Sequence, residues 1–309
     1  MRKMLVAVAA FGLLLAACAG NENPVVTTSP GGGGTETSAA PTTAAACAQQ
    51  SSVPFVNAGT LTVGTDNPAY PPWYAGGDTQ GTSWKINNPA TGKGFESAVA
   101  YAVADKLGFT NDQVQWVEVP FNQSFAPGPK SFDFDINQIS FTPKRAQQVT
   151  FSDSYYDVNQ ALVGLKGTPI TGAASLSDLK DYSLATQIGT TSYDYITNVI
   201  QPNKEPGAYN SLADAVQALK SGSVDGIVVD LPTAFYVTAV QIPDGVIIGQ
   251  FPNPEGQAPE HFGMVFAKDN PLVDCVNLAL SELKSDGTLQ AIQDQWLSSK
   301  VSVPVFSTS

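Results

Sequence analysis

A chain of 309 residues carries 15 Lys and Arg against 27 Asp and Glu, a formal net charge of −12. So acidic a chain offers no electrostatic footprint for nucleic acid or for an anionic membrane face. Nearly all of its cations are lysines, the arginines being Arg2 and Arg145.

The N-terminal stretch MRKMLVAVAAFGLLLAAC places two cations ahead of an apolar run from Met4 to Ala17 that is too short to span a bilayer. Residues 1–17 therefore read as a secretory signal peptide. The run ends in Leu15-Ala16-Ala17-Cys18, which resembles the lipobox of bacterial lipoproteins. That resemblance implies cleavage before Cys18 and lipidation of that cysteine, palmitate included; a plain signal peptide with an incidental cysteine is the alternative. Loss of Arg2 and Lys3 with the leader takes the formal charge from −12 to −14.

Residues 20–46, GNENPVVTTSPGGGGTETSAAPTTAAA, are too poor in large apolar side chains to offset chain entropy, so residues 18–53 read as the lipidated Cys and a disordered linker. The GGGG at 31–34 follows no readable strand and opens no readable helix, which argues against a phosphate loop. A flexible chain of about 35 residues gives a mean reach of roughly 30–35 Å. The remaining chain, from about residue 52 to 306, is long enough for two ordinary domains. Cys47 and Cys275 remain after the leader. An oxidising exterior permits a disulfide between them, and a buried Cys275 thiol at the edge of the stripe Leu272, Val276, Ala279, Leu283 is equally open.

TLTVGTD, residues 60–66, alternates as a strand, and Asn67-Pro68 and Pro71-Pro72 then force a loop carrying Tyr70 and Trp73. FESAVAYAVADKLGF puts Phe95, Val99, Val103 and Leu107 on one helical face and stops at Gly108. VQWVEV (114–119) and FDFDINQI (132–139) read as strands, separated by FNQSFAPGPKS, which Pro127, Gly128 and Pro129 break too often for a long helix. QALVGLK (160–166) begins a second block: a short helix at SLSDLKD (175–181), strand into turn at SLATQIGTT, and a helix from about Ser192. The helix SLADAVQALKSG, the strands GIVVDLP and GVIIGQF, HFGMVFAK (261–268), and helices starting at Asn270-Pro271 and near Thr288 complete the chain. Alternating units of this kind imply α/β sheets covered on both faces, with no internal repeat.

In open α/β sheets ligands gather beyond the carboxyl ends of the strands. Polar groups stand at such ends at Asp66, at Ser140-Phe141-Thr142 beside Arg145, at Gly189-Thr190-Thr191, and at Asp230. The guanidinium fork of Arg145 matches a carboxylate with two parallel bonds, which lysine cannot do. A helix start after Gly189 adds backbone N–H groups for the same anion, and Asp230 suits an ammonium. A cation fork, an anion-binding turn and a carboxylate together describe a receptor for a zwitterion, of which α-amino acids are the commonest. Taken singly, a lone arginine is more often a surface residue, and GTT or a strand-ending Asp is more often a cap.

The stretches LTVGTD…YPPW, GKGFESAVAYAVADKLGF, ISFTPKRAQQVTFSDSYYDVNQALVG, IGTTSYDYI, VDGIVVDLPTAFYV and HFGMVFAKDNPLVDCVNLALSELKSDGTLQAIQDQW resemble, in family order, the substrate-binding lipoproteins of polar amino acid ABC transporters. This group, the family 3 solute-binding proteins, includes the glutamine-, histidine- and lysine/arginine/ornithine-binding proteins. The resemblance implies a two-lobed periplasmic-binding-protein-like (type II) α/β fold with two hinge strands, QALVGLK and HFGMVFAK. Lobe one would be 54–163 plus 263–306 and lobe two 164–262. It also implies that Arg145 clamps the α-carboxylate with Ser140, Thr142, Thr191 and the backbone before it, Thr190 included, and that Asp230 pairs with the α-ammonium. Tyr70 and Phe121 would sandwich the ligand side chain, and Asp66 would reach its polar tip. The implied role is a monomeric, lipid-anchored receptor on the outer face of the cell membrane, delivering an amino acid to an ABC permease with no cofactor, metal or chemistry of its own.

The chain departs from the family where one extra residue separates Asp66 from Tyr70, and where Asp135-Ile136-Asn137-Gln138-Ile139 replaces a run of small apolar residues. Asp135 would need partners if its strand is central, and the Gln138 side chain would line the pocket. Two alternatives share the fold: a sensing lipoprotein, and an enzyme like the cyclohexadienyl dehydratases with Asp135 or Asp66 as its acid. His261 reads as structural.

Overall fold

The computed structural model describes residues 41–256, 258–297 and 303–308. The leader, Cys18 and most of the linker fall outside these residues. Among the described residues no helix is long and apolar enough to cross a membrane.

Two five-stranded sheets organise the chain. The first runs Val114–Glu118, Leu61–Thr65, Phe134–Asp135, Val265–Phe266, Thr150–Phe151 in spatial order, parallel across its first three strands and antiparallel where Val265–Phe266 enters. Leu61–Thr65 is buried along its whole length, as expected of a strand covered on both faces. The second sheet runs Gly245–Gln250, Gln160–Leu165, Gly226–Asp230, Leu184–Gln187, Gly207–Tyr209. A short antiparallel ribbon, Tyr156–Asp157 against His261–Phe262, connects the two.

Helix Phe95–Leu107 packs Phe95, Val99, Val103 and Leu107 into the first core, alongside Leu272, Val276, Ala279 and Leu283 of helix Leu272–Ser285. Gly94 starts it at φ 96°, where an added Cβ would lie 2.4 Å from the Trp73 carbonyl oxygen, so no larger residue fits. The second sheet is covered by helix Leu212–Lys220, capped by Ser211 accepting from Asp214 N, and by Leu231–Tyr236, capped by Asp230.

Four expectations change. The presumed linker holds a helix, Ala44–Ala48, with Thr43 accepting from Ala46 N as its cap and Ala44 fully buried. Three alanines in a row, the best helix former, read as low complexity but dock on the late helix. Cys47 in that helix is disulfide-bonded to Cys275, Cα to Cα 5.2 Å, across 228 residues of sequence.

Gln160–Leu165, expected to be the first crossover and to fall largely in lobe one, lies wholly in the second sheet between Gly245–Gln250 and Gly226–Asp230. An apolar strand pattern does not say which sheet the strand joins; the ribbon strand Tyr156–Asp157 lies just upstream of it. Residues 303–306 were expected in lobe one. Instead, Phe306 stacks on Phe251 at 5.0 Å in the core of the second sheet, and the exposed Val305 bridges Gln250 at that sheet's edge. Lastly, FDFDINQI yields only the two-residue strand Phe134–Asp135.

Candidate functional site

A cavity of about 610 Å³ opens between the carboxyl ends of the two sheets. From the first side it is lined by Asp66, Tyr70, Phe121, Gln138, Ser140 and Arg145, and from the second by Gln160, Thr190, Thr191 and Asp230. The charged groups on its wall are Asp66, Lys85, Arg145 and Asp230.

Arg145 sits on a short helix, Pro143–Ala146, opened by Pro143 and capped by Thr142, whose Oγ1 accepts from Arg145 N at 3.1 Å. Thr142, expected to contact the ligand, is not on the cavity wall; the contribution seen for it is this capping bond, which holds the turn. The guanidinium is 8% exposed and lies 4.3 Å from the Phe125 ring centroid and 5.6 Å from that of Phe121. Its Nη1 donates to the Ser140 carbonyl at 2.7 Å and its Nη2 to the Gly189 carbonyl at 2.8 Å, one on each side of the cleft. Burial pulls the group down to about 10, and it stays cationic at neutral pH. The turn presenting that carbonyl needs glycine: Gly189 is at φ 80°, and an added Cβ would meet Asn122 Oδ1 at 2.5 Å.

Thr190 caps helix Thr191–Tyr195, accepting from Tyr193 N at 3.2 Å while donating to the Gln187 carbonyl at 2.7 Å. Thr191 Oγ1 comes within 3.3 Å of Ser140 Oγ across the cleft. Asp230 ends its strand and caps the following helix, Oδ1 accepting from Thr233 N at 2.9 Å. Burial raises its carboxyl to about 6, so it ionises at neutral pH and gains when a cation arrives. Asp66 accepts from Asn67 N at 2.7 Å and is likewise raised by burial.

Tyr70 faces Tyr236 across the cleft, ring centroids 6.5 Å apart. Trp73 does not face the cavity; it is 1% exposed, packed edge-on against Phe95, Tyr156 and Phe262. Asp135 is fully buried, and neither of its oxygens has a hydrogen-bond partner among the described residues. Burial, then the neighbouring Glu96, pushes its carboxyl well up, and it lies off the cavity wall, which removes it as the cleft acid an enzyme would need. His261 stacks on Phe141 at 5.6 Å with its ring 8° off parallel.

Sequence reasoning missed four contributors. Phe125 backs Arg145. Glu96, fully buried, accepts from Tyr155 OH at 2.5 Å, from Gln138 N at 2.7 Å and from Gln138 Nε2. This ties down Gln138, whose φ of 47° is left-handed, and leaves its amide oxygen free of Glu96. Burial raises Glu96 to about 7. A signal was present: Glu96 shares a helical stripe with Ala100, Val103 and Leu107, an acid where the face is otherwise apolar. Gln160 and Glu260 meet over Thr191, Gln160 Nε2 donating to Glu260 Oε2 at 3.0 Å. No local pattern marks either residue.

The chain matches bacterial extracellular solute-binding proteins, family 3, over residues 61–299. It is 29% identical over 208 residues to the arginine-binding extracellular protein ArtP of Bacillus subtilis (strain 168), covering 66% of this chain and 77% of that protein. It is 28% identical over 253 residues to the L-cystine-binding protein TcyJ of Escherichia coli (strain K12), covering 79% and 84%. Among solved structures, an ancestral arginine-binding protein bound to glutamine superposes with a TM-score of 0.64 at 31% identity, covering 79% of this chain and all of that one.

Proposed function

Since the chain belongs to the bacterial extracellular solute-binding proteins of family 3, with their type II periplasmic-binding-protein fold, we propose that it is the lipid-anchored receptor of an ABC transporter for a polar α-amino acid. The observation that carries this reading is the pairing on one cavity wall of a buried guanidinium, Arg145, with a carboxyl raised to about 6, Asp230. They come from opposite sides of the cavity, Arg145 from the helix Pro143–Ala146 and Asp230 from the end of a strand of the second sheet. A zwitterion with its carboxylate toward Arg145 and its ammonium toward Asp230 bridges the two lobes.

Ligand thereby favours the closed form, and the closed form is what the permease accepts. Phe121 and Tyr70 flank the ligand side chain, while the Gln138 amide oxygen and Asp66 offer acceptors to its tip. That acceptor-rich end suits a side chain bearing N–H groups, as in the arginine and glutamine of the relatives. The receptor performs no chemistry. Residues 1–17 direct export, Cys18 carries the lipid, and the linker leads to the folded body; the Cys47–Cys275 bond supports an oxidising, extracytoplasmic setting.

The test is thermal unfolding of the refolded chain against each of the twenty amino acids, for wild type and Arg145→Ala. A ligand at a hundredfold excess over its dissociation constant stabilises by about 2.7 kcal/mol. The expected result is a shift with one or a few polar amino acids that vanishes in Arg145→Ala. A shift that survives the substitution places the carboxylate elsewhere, and no shift at all sinks the amino-acid reading.

A further inference from the structure

Glu260 precedes the second strand of the connecting ribbon and is half-buried. Its carboxylate gathers donors from three separate elements. Ser140 Oγ donates to Oε1 at 2.5 Å, Thr191 Oγ1 donates to the same oxygen at 2.5 Å, and Gln160 Nε2 donates to Oε2 at 3.0 Å. Gln160 is itself set for this, since Ser192 Oγ donates to its Oε1 at 2.5 Å and turns the amide nitrogen toward Glu260.

Hydrogen counting gives this arrangement a consequence. A hydroxyl carries a single hydrogen, and an ionised carboxylate can only accept. Ser140 and Thr191 cannot donate to Glu260 and to a ligand carboxylate at once. Nη1 and Nη2 of Arg145 each spend one hydrogen on the carbonyls of Ser140 and Gly189 and keep the other for a ligand. The hydroxyls that the proposed clamp needs for an incoming carboxylate are thus already held, and by a carboxylate.

We propose that Glu260 is a built-in competitor for the ligand's α-carboxylate. With no ligand it occupies the hydroxyls of Ser140 on one lobe and Thr191 on the other and draws the lobes together. An amino acid must displace it to bind. Glu260 therefore sets the affinity of the site and discriminates for ligands whose free carboxylate can win those hydroxyls back. This inference rests on the α-amino-acid reading above.

The experiment is calorimetric titration of the mature chain, residues 18–309, as wild type, Glu260→Gln and Glu260→Ala. The titrants are the twenty amino acids and the α-carboxamide of each one bound. Charge-assisted hydrogen bonds released from competition correspond to a gain of about tenfold in affinity. The expected order is wild type weakest, Glu260→Gln intermediate and Glu260→Ala tightest, with no gain for the carboxamide. Glu260→Gln keeps the side-chain shape, so a folded variant is available whatever Glu260→Ala does. Equal or weaker binding by Glu260→Gln overturns the proposal, and so does a carboxamide that gains as much as the free acid. If none of the three proteins binds any amino acid, the functional reading itself falls, and this inference with it.

Discussion

Trp73 and Thr233 are joined across the cleft: the buried indole Nε1 donates to Thr233 Oγ1 at 3.1 Å. Trp73 is anchored in the first core, whereas Thr233 sits in the helix capped by Asp230 and supplies the N–H that Asp230 accepts. The bond therefore links the aromatic packing of one lobe to the acid expected to hold the ammonium on the other. Trp73→Phe keeps most of the packing and deletes the donor. A net hydrogen bond of this kind contributes about 0.5–1.5 kcal/mol, so the dissociation constant should rise roughly two- to tenfold. Calorimetric titration checks this, and an unchanged constant would detach Trp73 from closure.

Arg145→Lys retains the positive charge and loses the planar fork. Hydrogen bonds to charged groups contribute about 1.5–3 kcal/mol, so affinity for an amino acid should drop roughly ten- to more than a hundredfold. Lys at this position cannot reach the Ser140 and Gly189 carbonyls together in the geometry of the fork. Titration of the two proteins side by side decides the point; equal affinity would mean that charge alone suffices.

The raised carboxyl of Asp230 predicts a pH dependence of binding. An ammonium pairs with the ionised form, so affinity is full above about 6 and declines as pH falls through that value. With a single proton coupled, binding at pH 5 should be about tenfold weaker than at pH 7. Asp230→Asn should bind weakly at every pH and show a flat profile. A wild-type profile that rises toward acid would contradict the assignment.

Stability without ligand should run the opposite way. Glu96 is raised from 4.5 to about 7 by burial, so its contribution is fully present below 4.5 and is lost as pH rises through 7. Unfolding free energy should decrease from pH 5 to pH 8 by no more than about 3 kcal/mol from this group, and the melting temperature should fall with it. Glu96→Gln should flatten part of that slope, and a wild-type melting temperature that climbs over the interval would refute the account.

Much of this was readable in advance and the unread portion has common causes. Helices Phe95–Leu107, Leu212–Lys220 and Leu272–Ser285 announce themselves because a buried stripe and a glycine or polar stop agree, with Ser211 capping the second. Two-residue strands such as Thr150–Phe151 carry no period of their own and exist through their neighbours. Asp66, Tyr70, Phe121, Gln138, Ser140, Arg145, Thr190, Thr191 and Asp230 do converge on one cavity. Thr142 illustrates the limit: a hydroxyl beside the key arginine looks like a ligand group, yet it lies off the cavity wall and caps the turn. Glu260 illustrates the converse, since its partners lie 120, 100 and 69 positions away.

Removing the disulfide should be costly. Cys47→Ser releases a closure spanning 228 residues of sequence. Losing a native disulfide typically costs about 2–5 kcal/mol. Chemical denaturation with and without reductant reads this directly, and an unchanged midpoint would show the cross-link to be dispensable.

The same bond determines how a pull on the chain is transmitted. Tension arriving from ahead of residue 41 reaches Cys47 and passes through sulfur into helix Leu272–Ser285, within the first core. It bypasses the ribbon of Tyr156–Asp157 and His261–Phe262 that lies between the two sheets. A load applied ahead of the disulfide would be borne by the core of the first sheet, and the second sheet would be mechanically insulated from it.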